Sequence, residues 1–137
     1  MLKPGNVVAV VILIILIIIP IAYIFSEDFQ IVSPYVEDSN ATFSGNIERE
    51  GDSRIHSIRI GNNVTRIHCV LKCGGADFDL YGRFGTLPSL DEYDFIGYSS
   101  GGEDLYYDYP VSGILQLLVH SYAGVGHYDL TVELEYN

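Results

Sequence analysis

Residues 7–25 read VVAVVILIILIIIPIAYIF, nineteen consecutive positions without a charged or strongly polar side chain. As an α-helix rising 1.5 Å per residue, the run would span about 28 Å, close to the hydrocarbon thickness of a bilayer. Each Val, Leu or Ile near the centre favours insertion by roughly 0.3–0.6 kcal/mol, and no charge opposes them. One N-terminal transmembrane α-helix over 7–25, embedded in the lipid bilayer, is therefore expected. The apolar stretch is longer than the roughly 7–15 residues of a cleaved signal peptide, and the small residues at its exit, Ala22 and Ser26, are poorly spaced for cleavage. An uncleaved signal-anchor is the first reading; a cleaved peptide and a prepilin-like leader cut after Gly5 are the alternatives. Lys3 precedes the span, and Glu27 and Asp28 follow it. Residues 1–6 thus read as a short cytoplasmic tail, with the C-terminal part outside the cell.

The chain carries a net charge of −11, and all 18 of its Asp and Glu residues lie beyond the apolar run. So acidic an exterior repels nucleic acid and anionic headgroups, so no nucleic-acid partner is expected; it suits solvation or the binding of a cation. Residues 26–40, SEDFQIVSPYVEDSN, hold no sustained period and contain Pro34. They read as a linker lifting a domain off the membrane. Asn40-Ala41-Thr42 and Asn63-Val64-Thr65 match the N-glycosylation sequon, which requires an exposed asparagine on an exported chain.

From residue 41 onward the pattern is strand after strand. In the stretch 128–136, Tyr128, Leu130, Val132, Leu134 and Tyr136 alternate with Asp129, Thr131, Glu133 and Glu135. That is the signature of a sheet with one wet face. Thr65, Ile67, Cys69 and Leu71 alternate with Arg66, His68 and Val70; Ala76, Phe78, Leu80, Gly82 and Phe84 alternate with Asp77, Asp79, Tyr81 and Arg83. Further strands are expected over 42–48, 54–60, 93–98, 104–109 and 113–121, with Gly- or Pro-containing turns between them. The fold class is all-β, an antiparallel sandwich of about eight strands.

Four pieces, in order, carry a family likeness. They are Ser44-Gly45-Asn46-Ile47 with Gly51-Asp52; Ala76-Asp77-Phe78-Asp79-Leu80-Tyr81-Gly82-Arg83-Phe84-Gly85; Pro88 through Tyr98 with Tyr93-Asp94; and Val119-His120-Ser121-Tyr122 with Gly126-x-Tyr128-Asp129-Leu130-Thr131-Val132. Residues 41–137 on these grounds resemble the bacterial and archaeal pre-peptidase C-terminal domain. The resemblance implies a jelly-roll-like β-sandwich, non-catalytic and appended to exported enzymes, some members of which bind matrix polymers or calcium. Two departures stand out. The apolar run occupies the place where relatives carry a peptidase, and the cysteine pair that many members have around the loop here running from Asp94 to Asp104 is missing.

The cysteines present are Cys69 and Cys73. Four residues along an extended strand put their Cα atoms roughly 13 Å apart, beyond the ~7 Å limit for a disulfide. A bond between them requires the chain to fold back at Lys72–Gly75, so a local disulfide and two free thiols both stand as readings. A zinc site would need two more ligands, and His68 points away from Cys69. His56, His68, His120 and His127 are scattered, and no nucleophile turn of the G-x-S-x-G type occurs. Calcium, a hard cation that wants converging oxygens, is the one ligand indicated: Glu48, Glu50 and Asp52 at the first turn, with Asp77 and Asp79 on the central strand, form the candidate set. In the related modules acids at those two places can lie close together. The competing reading makes Asp77 and Asp79 the solvent face of their strand, with Asp79 anchoring the adjacent loop. Tyr93, Tyr98, Tyr107 and Tyr122 are candidates for an aromatic contact surface, though Tyr106 and Tyr107 cannot both face inward on one strand.

No catalytic constellation appears, so an enzyme is not expected. The first functional reading is a cell-surface binding module on a single-pass anchor, recognising an extracellular protein or glycan. The second is a pilin-like, self-associating subunit of a surface filament or envelope layer, with the apolar helix as its assembly core.

Overall fold

The computed structural model describes residues 35–36 and 40–137. The cytoplasmic tail 1–6, the transmembrane helix 7–25 and most of the linker lie outside the described residues. No helix among the described residues is long and apolar enough to cross a membrane.

Nine strands follow one another: β1 Tyr35–Val36, β2 Ala41–Ile47, β3 Ser53–Ile60, β4 Val64–Cys73, β5 Asp77–Phe84, β6 Phe95–Gly97, β7 Glu103–Asp108, β8 Gly113–Ala123 and β9 Gly126–Tyr136. They form two sheets, one of order β1-β3-β8-β5-β6 and one of order β2-β9-β4-β7. Strands β2 to β9 correspond to the eight read from the sequence, and every pairing among them is antiparallel. Within the stretch read as a linker, Tyr35 and Val36 pair in parallel with Ser57 and Ile58.

The alternation explains the layering. Ile67, Cys69 and Leu71 of β4 and Leu130, Val132 and Leu134 of β9 form one inner face; Phe78 and Leu80 of β5 with Leu115, Leu117 and Val119 of β8 form the other. Burying each such side chain contributes about 1.5–3 kcal/mol, and the two faces together make one core. The intervening residues look outward. On the five-stranded sheet these include Asp77, Asp79 and Tyr81 of β5, facing His120 and Leu118 of β8 across the ladder.

Candidate functional site

A cleft opens on the outer face of the five-stranded sheet where β5 begins. It holds about 330 Å³ and is lined by Asp77, Asp79, Tyr98, Ser100 and Tyr122. Period 2 accounts for the floor, because Asp77 and Asp79 stand two residues apart on one face of β5. Tyr122 of β8 falls at a register shift of the β5–β8 ladder, between the pairs Phe78–Ser121 and Asp77–Ala123, and Tyr98 follows β6 on the loop 98–102. Both rings stand in solvent, Tyr98 75% exposed and Tyr122 69% exposed. At the small end of the range for binding pockets, the cleft suits one side chain or one monomer unit of a polymer.

The loop carrying Tyr98 and Ser100 is fastened at Gly101. The Gly101 N–H donates to Asp77 Oδ1 at 2.9 Å, and the Phe78 N–H donates to the Gly101 carbonyl at 3.0 Å. The Cys73 thiol donates to the same carbonyl at 3.0 Å and to that of Ala76 at 3.3 Å. Asp77, not Asp79, therefore anchors this loop.

Asp79 is the anomaly. Only 7% of it is exposed, and its carboxylate takes no side-chain hydrogen bond from the described residues, although its oxygens are not sealed from solvent. Burial raises its pKa above the usual carboxylate value, the charge of Asp77 adds to this, and His120 opposes both. His120 lies directly across the ladder from Asp79 and shares a 2.9 Å hydrogen bond between Nδ1 and the Ser53 hydroxyl. Beneath the loop sits a second buried acid, Glu103 at the start of β7, 4% exposed, with no partner for Oε1. Burial lifts its pKa, hydrogen bonds from Ser99 work against the rise, and the charges of Asp79 and Asp77 reinforce it. Three carboxylates thus repel one another here, with no Lys or Arg among the described residues lining the cleft.

This predicts a pH dependence. A raised carboxylate pKa means the folded chain holds its proton more tightly than the unfolded chain. The associated stability is complete below the ordinary carboxylate value and is lost as pH rises through the folded one. Glu103→Gln should therefore raise the melting temperature at pH 7 and flatten the gain that the native chain shows on acidification from pH 7 towards 4. Glutamine keeps the polar atoms but removes the charge whose burial and repulsion by Asp79 and Asp77 raise the pKa, and each kcal/mol so recovered is roughly 4–8 °C for a domain of this size. Thermal unfolding of both chains at matched pH checks this. The difference between them cancels His68, whose pKa is raised by its bond to Asp104, and His56, whose pKa burial lowers. Equal melting curves at pH 7 and pH 4 would refute it.

The other sequence candidates are dispersed. Glu50 accepts from the Gly124 N–H at 2.9 Å, Asp52 pairs with Arg49 at 3.3 Å, and Glu48 is exposed. Among the described residues no group of three or more His, Cys, Asp or Glu is gathered to hold a metal ion, so the five-residue calcium set does not assemble. Cys69 and Cys73 lie on the single strand β4 and are free thiols, which removes the local disulfide: the chain folds back after Cys73, not between the two. Burial pushes the Cys69 thiol up to about 12 and also raises that of Cys73. Asn63 is exposed at the β3–β4 turn, while Asn40, also exposed, accepts the Leu134 N–H at 2.8 Å.

Of the tyrosines, Tyr98 and Tyr122 share the cleft, and Tyr93 leans edge-on against Tyr81 at 5.4 Å. Tyr107 is corrected: it packs inward against Phe84 and Phe95, and Tyr106 takes the outer position. On that opposite sheet Tyr106 stacks on His68 at 4.1 Å with Arg66 5.6 Å from its ring centre. Each basic group there meets two carboxylates, His68 with Asp104 and Glu133, Arg66 with Asp108 and Glu135. Among the described residues the buried side-chain atom without a hydrogen-bond partner is Glu103 Oε1, below the cleft. Sequence reading passed over Glu103, Ser53 and Ser100, and set His120 aside as one of four scattered histidines.

The architecture is that of an all-β sandwich of two sheets. Solved structures of similar fold include the pre-peptidase C-terminal domain of a collagenase from Bacillus anthracis, with a TM-score of 0.54 at 17% identity over 72% of this chain and 92% of that one. Another is PliG of Aeromonas hydrophila, a periplasmic inhibitor of g-type lysozyme, with a TM-score of 0.54 at 14% identity over 74% of this chain and 96% of that one. The fold implied by the sequence resemblance is therefore the fold of the described residues. No protein-family model and no curated protein sequence matches the chain.

Proposed function

We propose that the chain is a non-catalytic binding module held at the cell surface by the apolar segment 7–25, recognising an envelope protein or glycan through the Tyr98–Tyr122 cleft. The observation that carries the reading is the pair of exposed rings standing over an acidic floor, with the loop that bears Tyr98 fastened at Gly101. Exposed tyrosines on a rigid support give large contact area at little entropic cost, and such anchors dominate binding energy when they are desolvated. That the same sandwich serves as an inhibitor of a lysozyme in PliG and as an accessory domain in a collagenase is in keeping with a binding role. Membrane display follows from the uninterrupted apolar run.

The test uses the full chain in detergent micelles, applied to envelope material from cells that make it. The native chain should be retained, and a Tyr98→Ala, Tyr122→Ala double variant should bind at least tenfold more weakly. Equal retention of the two would overturn this reading.

A further inference from the structure

We propose that the cleft receives the ammonium or guanidinium end of a basic side chain, presented by a lysine- or arginine-bearing segment of a partner protein. This rests on the binding-module reading and names the ligand chemistry. Asp79 is more than nine-tenths buried, lines the cleft, and its carboxylate, open to the cleft, takes no side-chain hydrogen bond from the described residues. An anion held in that way is costly until a cation meets it. Asp77 stands beside it with one oxygen already committed to the Gly101 N–H, and Glu103 lies behind with an unpartnered Oε1. The basic group facing Asp79 from β8 is His120, which is already bonded to Ser53, and no Lys or Arg among the described residues lines the cleft. Beyond that histidine, the described residues bring no cation into the cleft to meet the Asp79 charge.

The walls decide what kind of cation. Tyr98 and Tyr122 offer ring faces that attract an organic cation and accommodate its alkyl stem. An inorganic divalent ion would want several converging oxygens, and the described residues gather no such set. A neutral sugar could donate hydroxyl hydrogen bonds to Asp79 but would leave its charge uncompensated. The net charge of −11 would draw a basic segment in before contact.

The experiment titrates the full chain in zwitterionic detergent with a capped trilysine peptide and with its Nε-acetylated counterpart, read by calorimetry. The trilysine peptide should bind at least tenfold more tightly than the acetylated one, and its affinity should fall as salt is raised. Asp79→Asn should lose tenfold or more while melting no lower than the native chain, which separates lost recognition from lost folding. Glu48→Gln removes the same charge at an exposed position outside the cleft and should change affinity by less than twofold. Equal binding of the two peptides, full affinity in Asp79→Asn, or an equal loss in Glu48→Gln would each overturn the proposal. So would calcium raising the melting temperature of the native chain but not of Asp79→Asn, with no response to trilysine. Failure here with Tyr98- and Tyr122-dependent envelope retention intact would discard the basic ligand and leave the binding module standing.

Discussion

Replacing Tyr128 with alanine will remove about 3–5 kcal/mol of folding stability, the scale of a large aromatic lost from a core. Domains of this size hold only about 5–15 kcal/mol in total, so the variant should sit near the edge of unfolding. Tyr128 is 1% exposed and meets Phe78 edge-on at 6.1 Å. Its hydroxyl lies 2.7 Å from Nε2 of His56, whose own ring stacks on Phe43. The ring also lies over Gly45, its cross-strand partner on β2, where an added Cβ would come within 2.5 Å of the hydroxyl oxygen. One side chain thus joins β2, β3, β5 and β9 across both sheets. Tyr128→Phe keeps the ring and removes only the hydrogen bond, so it should cost about 1 kcal/mol. Burial holds the pKa of His56 below the ordinary histidine value, so the stability tied to its neutral form is lost as pH falls below that value. Urea unfolding of the full chain in mild detergent, followed by circular dichroism, measures both variants. A cost of under about 1.5 kcal/mol for the alanine variant, or equal costs for the two, would refute this account.

The sandwich was legible because period 2 and glycine-rich turns are local signals. Strands β2 to β9 carry both, whereas β1 has two residues, too few to write any alternation. The phase of β7 was readable in principle. Asp104, Tyr106 and Asp108 share one face, and Glu103, Leu105 and Tyr107 the other, so two acids fix Tyr106 outward and Tyr107 inward. The same phase places Glu103 among apolar residues, a local sign of the buried acid that the composition alone hides. Asp79 could not be found that way. It sits at an outward position, and alternation treats every outward position as solvent. It pairs with His120 of β8, about forty residues away in sequence, and shares a cleft with Tyr98 and Ser100 of the loop 98–102. The Ser53–His120 bond is non-local for the same reason, depending on which strand lies beside β8. The calcium set assumed that the turn near Asp52 approaches the acids of β5. In the fold, Glu50 and Asp52 are taken up by Gly124 and Arg49 instead.

The cleft depends on a close approach elsewhere, and Gly82→Ala should expose that dependence. Gly82 on β5 pairs with Phe95 on β6, and the phenyl ring lies directly over it: a methyl group there would overlap Cζ and both Cε atoms. The ring cannot easily step aside, because Tyr107 holds it at 5.1 Å and Phe84 at 6.4 Å. Strand β6 has three residues and three pairings, so little backbone resists its displacement. Gly82→Ala should therefore cost about 1–3 kcal/mol by overpacking. It should also weaken ligand binding, since β6 leads directly into Tyr98 on the cleft wall. The diagnostic is non-additivity. Phe95→Ala clears the space, so the Gly82→Ala, Phe95→Ala double variant should be about as stable as Phe95→Ala alone, with a coupling of about 1 kcal/mol or more. Unfolding curves for the four chains of the cycle supply the number. Strict additivity would mean that ring and methyl do not compete for one place, and the link from the β5–β6 contact to the position of Tyr98 would fail with it.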